Sequence, residues 1–104
     1  MILSTTETIP NREISEVKGI ARGSTVRTRN VGRDILAGLK NLVGGEIEEY
    51  TKLQADAREQ ALQRMITDGS KLGADAIVNV RFTTSVITQA ASEVLAYGTA
   101  VILK

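Results

Sequence analysis

The chain contains no cysteine, no histidine and no tryptophan, and its 104 residues include only two tyrosines and one phenylalanine. Without cysteine there is no disulfide framework and no thiolate nucleophile. Without histidine there is no Ser-His-Asp or Cys-His machinery, and with both missing there is no zinc finger. Zinc and copper lose the imidazole and thiolate donors that hold them well. So few rings supply base-stacking platforms poorly, and a formal net charge of +1 lacks the basic excess that phosphate backbones demand. Nucleic acid is therefore not the expected partner. No apolar run reaches membrane-spanning length, and the opening residues, MILSTTETIP, lack the basic start and small-residue cleavage site of a signal peptide. The expectation is a cytoplasmic protein with no membrane partner.

What is present is ordinary for a globular chain, with 42% apolar and 24% charged residues. By length it is one domain, residues 1–104, able to bury roughly two-thirds of its unfolded surface. Its axis is the amphipathic stretch from Gly44 to Leu72. At about 100° per residue, Tyr50, Leu53, Ala57, Ala61, Met65 and Leu72 share one sector, which Ala55, Leu62 and Ile66 adjoin. That stripe is wider than one sheet contact needs, so a second surface is expected against it. Arg58 falls inside the stripe, where a charge requires a partner. Glu46, Glu48 and Glu49 crowd the first turn, where the helix dipole favours carboxylates. Lys71 sits in the last turn and Gly73 is placed to cap it in the left-handed conformation. Asp68 and Gly69 mark a weak spot, where a bend or fraying is expected.

Around that helix the chain reads as strands and one shorter helix. Ile2 to Ser4 form a short strand, followed by a polar loop through Pro10. Ile14 to Arg29 alternate loosely, with Gly19 and Gly23 suggesting a bend or bulge. Asn30 to Gly32 turn into a helix whose stripe is Ile35, Leu36, Leu39, Leu42 and Val43. Ala76 to Phe82 form a half-buried strand, Thr83 to Glu93 a polar connection long enough for a mobile loop, and Val94 to Leu103 a strand apolar on both sides. A strand of that kind belongs in the centre of a sheet. The reading is an α+β subunit in two layers, β-α-α-β-β, whose small, mainly antiparallel sheet has the order 1-3-2 and carries its helices on one face. Nothing in a single subunit is expected to cover the other face.

GIARG at 19–23, NVGRDILAGLKNLVGGEIEEY at 30–50, AREQA at 57–61, LGADAIVNV at 72–80 and GTAV at 98–101 occur here at fixed separations. With these segments the chain resembles the YbjQ-like family over almost its whole length. The resemblance implies a dodecin-like subunit assembling into a pentameric ring, a heavy-metal-binding label, and no described function or catalytic residues. A metal ion is thus a cofactor implied by the family label alone; the residues themselves identify none.

Candidate sites divide between chemistry and structure. Glu46 and Glu49, one turn apart, could hold a hard cation such as Ca²⁺ or Mg²⁺; a solvated first turn suited to the dipole is the preferred reading. Gly44-Gly45 before a helix invites comparison with a phosphate cradle, but three glutamates follow and no Gly-Lys-Ser/Thr does. Arg33, Asp34 and Arg58 are candidates for a ligand contact or a subunit interface, Asp34 being able to neutralise Arg58 where the helices meet. No acid–base pair stands out, so the chain is not read as an enzyme. The leading function is a small cytoplasmic homo-oligomeric ring that, without catalysis, binds a ligand, a partner or a metal ion or serves as a structural module. The alternatives are nucleic-acid binding through the basic segment Lys18 to Arg33 and an enzyme with a carboxylate-based site.

Overall fold

The structure, a computed structural model, describes residues 1–28, 46–89 and 91–104; the side chains of residues 28 and 46–54 lie outside the description. Its elements are β1 (Ile2–Leu3), β2 (Ile14–Thr28), α1 (Glu46–Lys71), β3 (Ala76–Thr88) and β4 (Ala91–Leu103). The sheet order is β1-β3-β4-β2, with β1 parallel to β3 and the other pairs antiparallel. The short strand expected at Ile2 to Ser4 joins the sheet as a fourth member, Ile2 and Leu3 pairing with Ala76 and Ile77 and making the sheet mixed. The shorter helix and the Gly44-Gly45 turn lie outside the described residues.

On one face of the sheet α1 lies across β2 and β4. Ala57, Ala61 and Met65 recur every fourth residue and bury against Ala21, Val94, Ala96 and Ala100. The buried line is narrow because the layers press together at Gly23. A Cβ there would lie 2.2 Å from the Met65 nitrogen and 2.4 Å from the Ala61 oxygen. Of the two glycines expected to mark a bend or bulge, Gly23 is therefore a close-approach glycine, while Gly19, at φ +134°, lies at one of the two β2–β4 register shifts, the other falling between Ile14 and Glu16. Nor does α1 break at Asp68-Gly69. Asp68 accepts a hydrogen bond from the Arg22 backbone N–H at 2.9 Å, and Gly69 packs under Ile77. The helix ends where Gly73, at φ +80°, lets its own N–H and that of Ala74 bond back to Ser70 and Gly69.

The opposite face is partly covered by the chain's own amino-terminal segment, contrary to the expectation that nothing in the subunit would reach it. Ser4 and Thr6 accept hydrogen bonds from the Val80 and Asn79 N–H groups, and the chain then turns at Pro10-Asn11, where Asn11 takes a positive φ. Ile9 and Ile14 come to rest on the buried cluster Ala76, Val78, Val101 and Leu103.

The largest departure from expectation is the stretch 83–93. It is not a loop: β3 continues to Thr88, Gln89 begins a tight connection, and β4 starts at Ala91. The far ends of β2, β3 and β4 form an arm in which every residue from Arg81 to Gln89 is exposed. Its sequence, RFTTSVITQ, is rich in β-branched residues, which favour strands without alternating polarity.

Candidate functional site

The residues singled out from sequence do not form one site. Arg33 and Asp34 lie outside the described residues, as do the side chains of Glu46 and Glu49, which the backbone places in the first turn of α1. Arg58 is exposed, as is Ala55, because α1 rests on its narrow Ala57–Ala61–Met65 line. Of the wider stripe, Leu62, Ile66 and Leu72 are half-buried, and the side chains of Tyr50 and Leu53 lie outside the description. The basic segment also divides. Lys18 pairs with Glu16 at 3.5 Å, Arg22 projects from the face away from α1, and Arg27 pairs with Ser92 on the face toward it.

Two surfaces emerge that sequence reasoning missed. The first is the outer edge of the arm. Because the Arg22 N–H is held by Asp68 and the Ser24 carbonyl by Arg64, these alternate groups of β2 point outward from the sheet. The helix thus guards one edge. Antiparallel alternation then turns the Phe82, Thr84 and Val86 backbone groups outward on the other side. The amino-terminal segment pairs this edge only as far as Val80. Among the described residues, nothing bonds the outward N–H and C=O groups of Phe82, Thr84 and Val86, and Val86 is 79% exposed.

The second surface is a row across the sheet. Arg22 and Arg81 both stand opposite Tyr97 in the strand register, on the face away from α1. Tyr97 is 38% exposed and both arginines are exposed. Nη1 of Arg81 donates to the Thr5 and Val80 carbonyls, each at 2.9 Å. Among the described residues neither guanidinium is paired with a carboxylate.

A long helix across a mixed four-stranded sheet defines a small α+β fold. The same fold occurs in the crystal structure of a protein of unknown function of the DUF74 family from Pediococcus pentosaceus. That likeness has a TM-score of 0.69 at 16% identity and covers 100% of this chain and 98% of that one. Within that class the chain belongs to the YbjQ family, whose model, described as "Putative heavy-metal-binding", matches residues 1–104. Among its relatives, a UPF0145 protein of Archaeoglobus fulgidus is 62% identical over 104 residues, 100% of this chain and 96% of that one. One of Vibrio campbellii is 57% identical over 101 residues, 97% of each chain. A third, of Halorubrum lacusprofundi, is 58% identical over 104 residues and covers both chains fully.

The donor set of this chain does not fit the heavy-metal description. It has neither cysteine nor histidine, and of its two methionines Met65 is fully buried in the core. Among the described residues no three acidic groups converge. Soft metals therefore lack thiolate and imidazole here. Protein incubated with zinc or copper and then desalted is expected to retain much less than one ion per chain by elemental analysis. Stoichiometric retention, lost on substituting named residues, would contradict this. No described helix is long and apolar enough to cross a membrane.

Proposed function

We propose that the chain is a non-catalytic, self-assembling binding module whose copies join head to tail into a closed ring, pentameric as its family resemblance implies. The observation that carries this reading is the bare outer edge of the arm. An exposed strand edge with β-branched side chains and no lysine or proline to blunt it is a template for another chain. Residues 82–92 carry no charge, so nothing there repels a second copy. Unlike patches support a heterologous contact, which closes into a ring when the rotation permits. Residues 17–28 hold three basic groups and no acidic one, while residues 46–59 hold five acidic groups against Lys52 and Arg58. The family carries no catalytic description, in keeping with a binding role.

Sedimentation velocity at low micromolar concentration, with native mass spectrometry for stoichiometry, tests the assembly. A single closed species is expected, weakened by charge reversal at Glu48 and Glu49 when salt is low and screening least. A monomer, or a two-fold dimer joined through identical patches, defeats the reading. Thr84→Pro removes an outward N–H without touching the bonds to β4, and edge strands tolerate proline. It is expected to yield a folded monomer. Val86→Lys, a charge on the same edge, should do the same.

A further inference from the structure

We infer that the strand completing the bare edge of the arm is the outer edge of β2, residues 24–28, from the next copy of this chain, so that β3 of one copy and β2 of its neighbour join in parallel. This rests on the assembly reading above and names the segment that the edge receives.

The arm has a second bare edge. The alternation that turns the Arg22 and Ser24 backbone groups outward turns those of Val26 outward as well, since these residues follow one another at every second position in the ladder to β4. The helix guards the first two, through Asp68 and Arg64. It reaches no farther, and among the described residues nothing bonds the N–H or C=O of Val26. Val26 stands opposite Glu93, and Ser85 stands opposite the same residue from the other side. The two bare edges thus lie at one level of the arm with β4 between them. Each offers apolar side chains to bury on pairing, Val26 on β2 and Phe82 and Val86 on β3, all of them exposed.

Direction and side-chain alternation select the pairing. β2 and β3 both run antiparallel to β4 and therefore parallel to each other. Rotation about an axis along the strands keeps that direction and brings β3 of one copy beside β2 of the next. In a parallel pair, a residue whose backbone groups reach across sits beside one whose groups point away. Thr84 reaches outward, so its neighbour on β2 is Thr25 or Arg27, whose groups bond β4. Thr84 and Thr25 both pair with Val94, which packs in the core with Ala57 of α1. Their side chains share the helix face, as does that of Arg27 two residues on. The continued sheet then keeps every helix on one side, as rotation requires. Joining the same edges antiparallel would set Thr84 against Ser24 or Val26, whose side chains lie on the other face, and successive helices would alternate sides. Pairing β3 with β3 about a two-fold axis suits the alternation but leaves a β2 edge bare at each end of the dimer. Closure through unlike edges leaves no edge of the arm unpaired. Arg27 is the one charged residue in 23–28 and residues 82–92 carry none, so no like charges meet across the contact.

Two proline variants and their mixture test the pairing. Val26→Pro removes an outward N–H from β2 as Thr84→Pro does from β3, and neither touches the bonds to β4. Each alone is expected to lose the ring and sediment as a folded monomer. In an equal mixture, the intact β2 edge of Thr84→Pro meets the intact β3 edge of Val26→Pro, and growth stops there because the remaining edges are blocked. A species of twice the monomer mass is expected in the mixture and in neither variant alone. Isotope labelling of one variant lets native mass spectrometry show one copy of each. The mixture and both controls are run well above the concentration that sustains the ring, because a single contact lacks the reinforcement of closure. Melting curves report folding, and Val26→Lys, a charge on the same edge, takes the place of Val26→Pro if that variant unfolds. If Thr84→Pro is monomeric while the β2-edge variant still assembles, or if the mixture holds only monomers, this pairing is overturned and the assembly reading stands. A monomeric parent, or a ring that survives Thr84→Pro, overturns the assembly reading and this pairing with it.

Discussion

Gly23→Ala is expected to be among the most damaging single-atom additions to this chain. The new Cβ would lie far inside contact distance of the α1 backbone at Met65 and Ala61. A backbone cannot rotate aside as a side chain can, so relief requires α1 to lift from β2 and open the core around Ala57, Ala61 and Met65. Overpacking of that kind costs on the order of 3 kcal/mol or more, about 10–20 °C in melting temperature for a domain of this size. Gly73→Ala is the control. A Cβ at that position meets nothing within 4 Å, although φ is +80°, so only backbone strain of roughly 1–2 kcal/mol is added. A Gly23→Ala variant melting no lower than Gly73→Ala would show that the layers are free to separate. Both should be compared at one protein concentration, since assembly shifts apparent stability.

Met65→Ala is expected to come next, at about 2–5 kcal/mol. Met65 has no exposed surface and is among the largest fully buried side chains. Beside it Ala61, Ala21 and Ala100 are already minimal, so they have nothing with which to fill the void. Urea unfolding should show a lower midpoint at an unchanged slope. Leu62, next to the buried line but only partly buried, should lose clearly less on the same substitution. Equal losses at the two positions would mean that the core is centred elsewhere.

How much of this could be read from sequence depended on whether the signal was local. Glycine at position 73 and the glutamates at 46–49 bracket the helix in the text itself, and α1 runs from Glu46 to Lys71. The doubly apolar pattern of Val94 to Leu103 belongs to β4, which lies between β3 and β2. Glycine in a strand has two readings, bulge or close approach, and only the packed helix assigns Gly19 to one and Gly23 to the other. The stretch 83–93 reads as a loop because threonine and serine look polar in a hydropathy pattern, although threonine, valine and isoleucine favour strands. The Arg22–Tyr97–Arg81 row was hidden more deeply. Bulges between Val17 and Gly19 and between Val78 and Arg81 each shift the alternation, and a one-residue slip moves a side chain to the other face. Counting by twos from Ala76 therefore puts Arg81 on the wrong face, whereas in β2 a second shift between Ile14 and Glu16 cancels the one at Val17–Gly19 and leaves Arg22 on the face of Ile14.

The pairing of β2 with β4 joins residues near the two ends of the chain, Ile14 lying opposite Leu103. That sets an order of events during folding. The β3–β4 hairpin closes over a very short connection and can form within microseconds, and α1 needs only its own residues. β2 is made before α1, β3 and β4 on synthesis, yet it must wait for the last residues of β4 before its ladder is complete. Until then its alternating backbone groups have only solvent, and the groove for the helix at Gly23 has no floor. Search for that distant partner, rather than growth of the helix, should limit the folding rate, as it does wherever contacts far apart in sequence dominate.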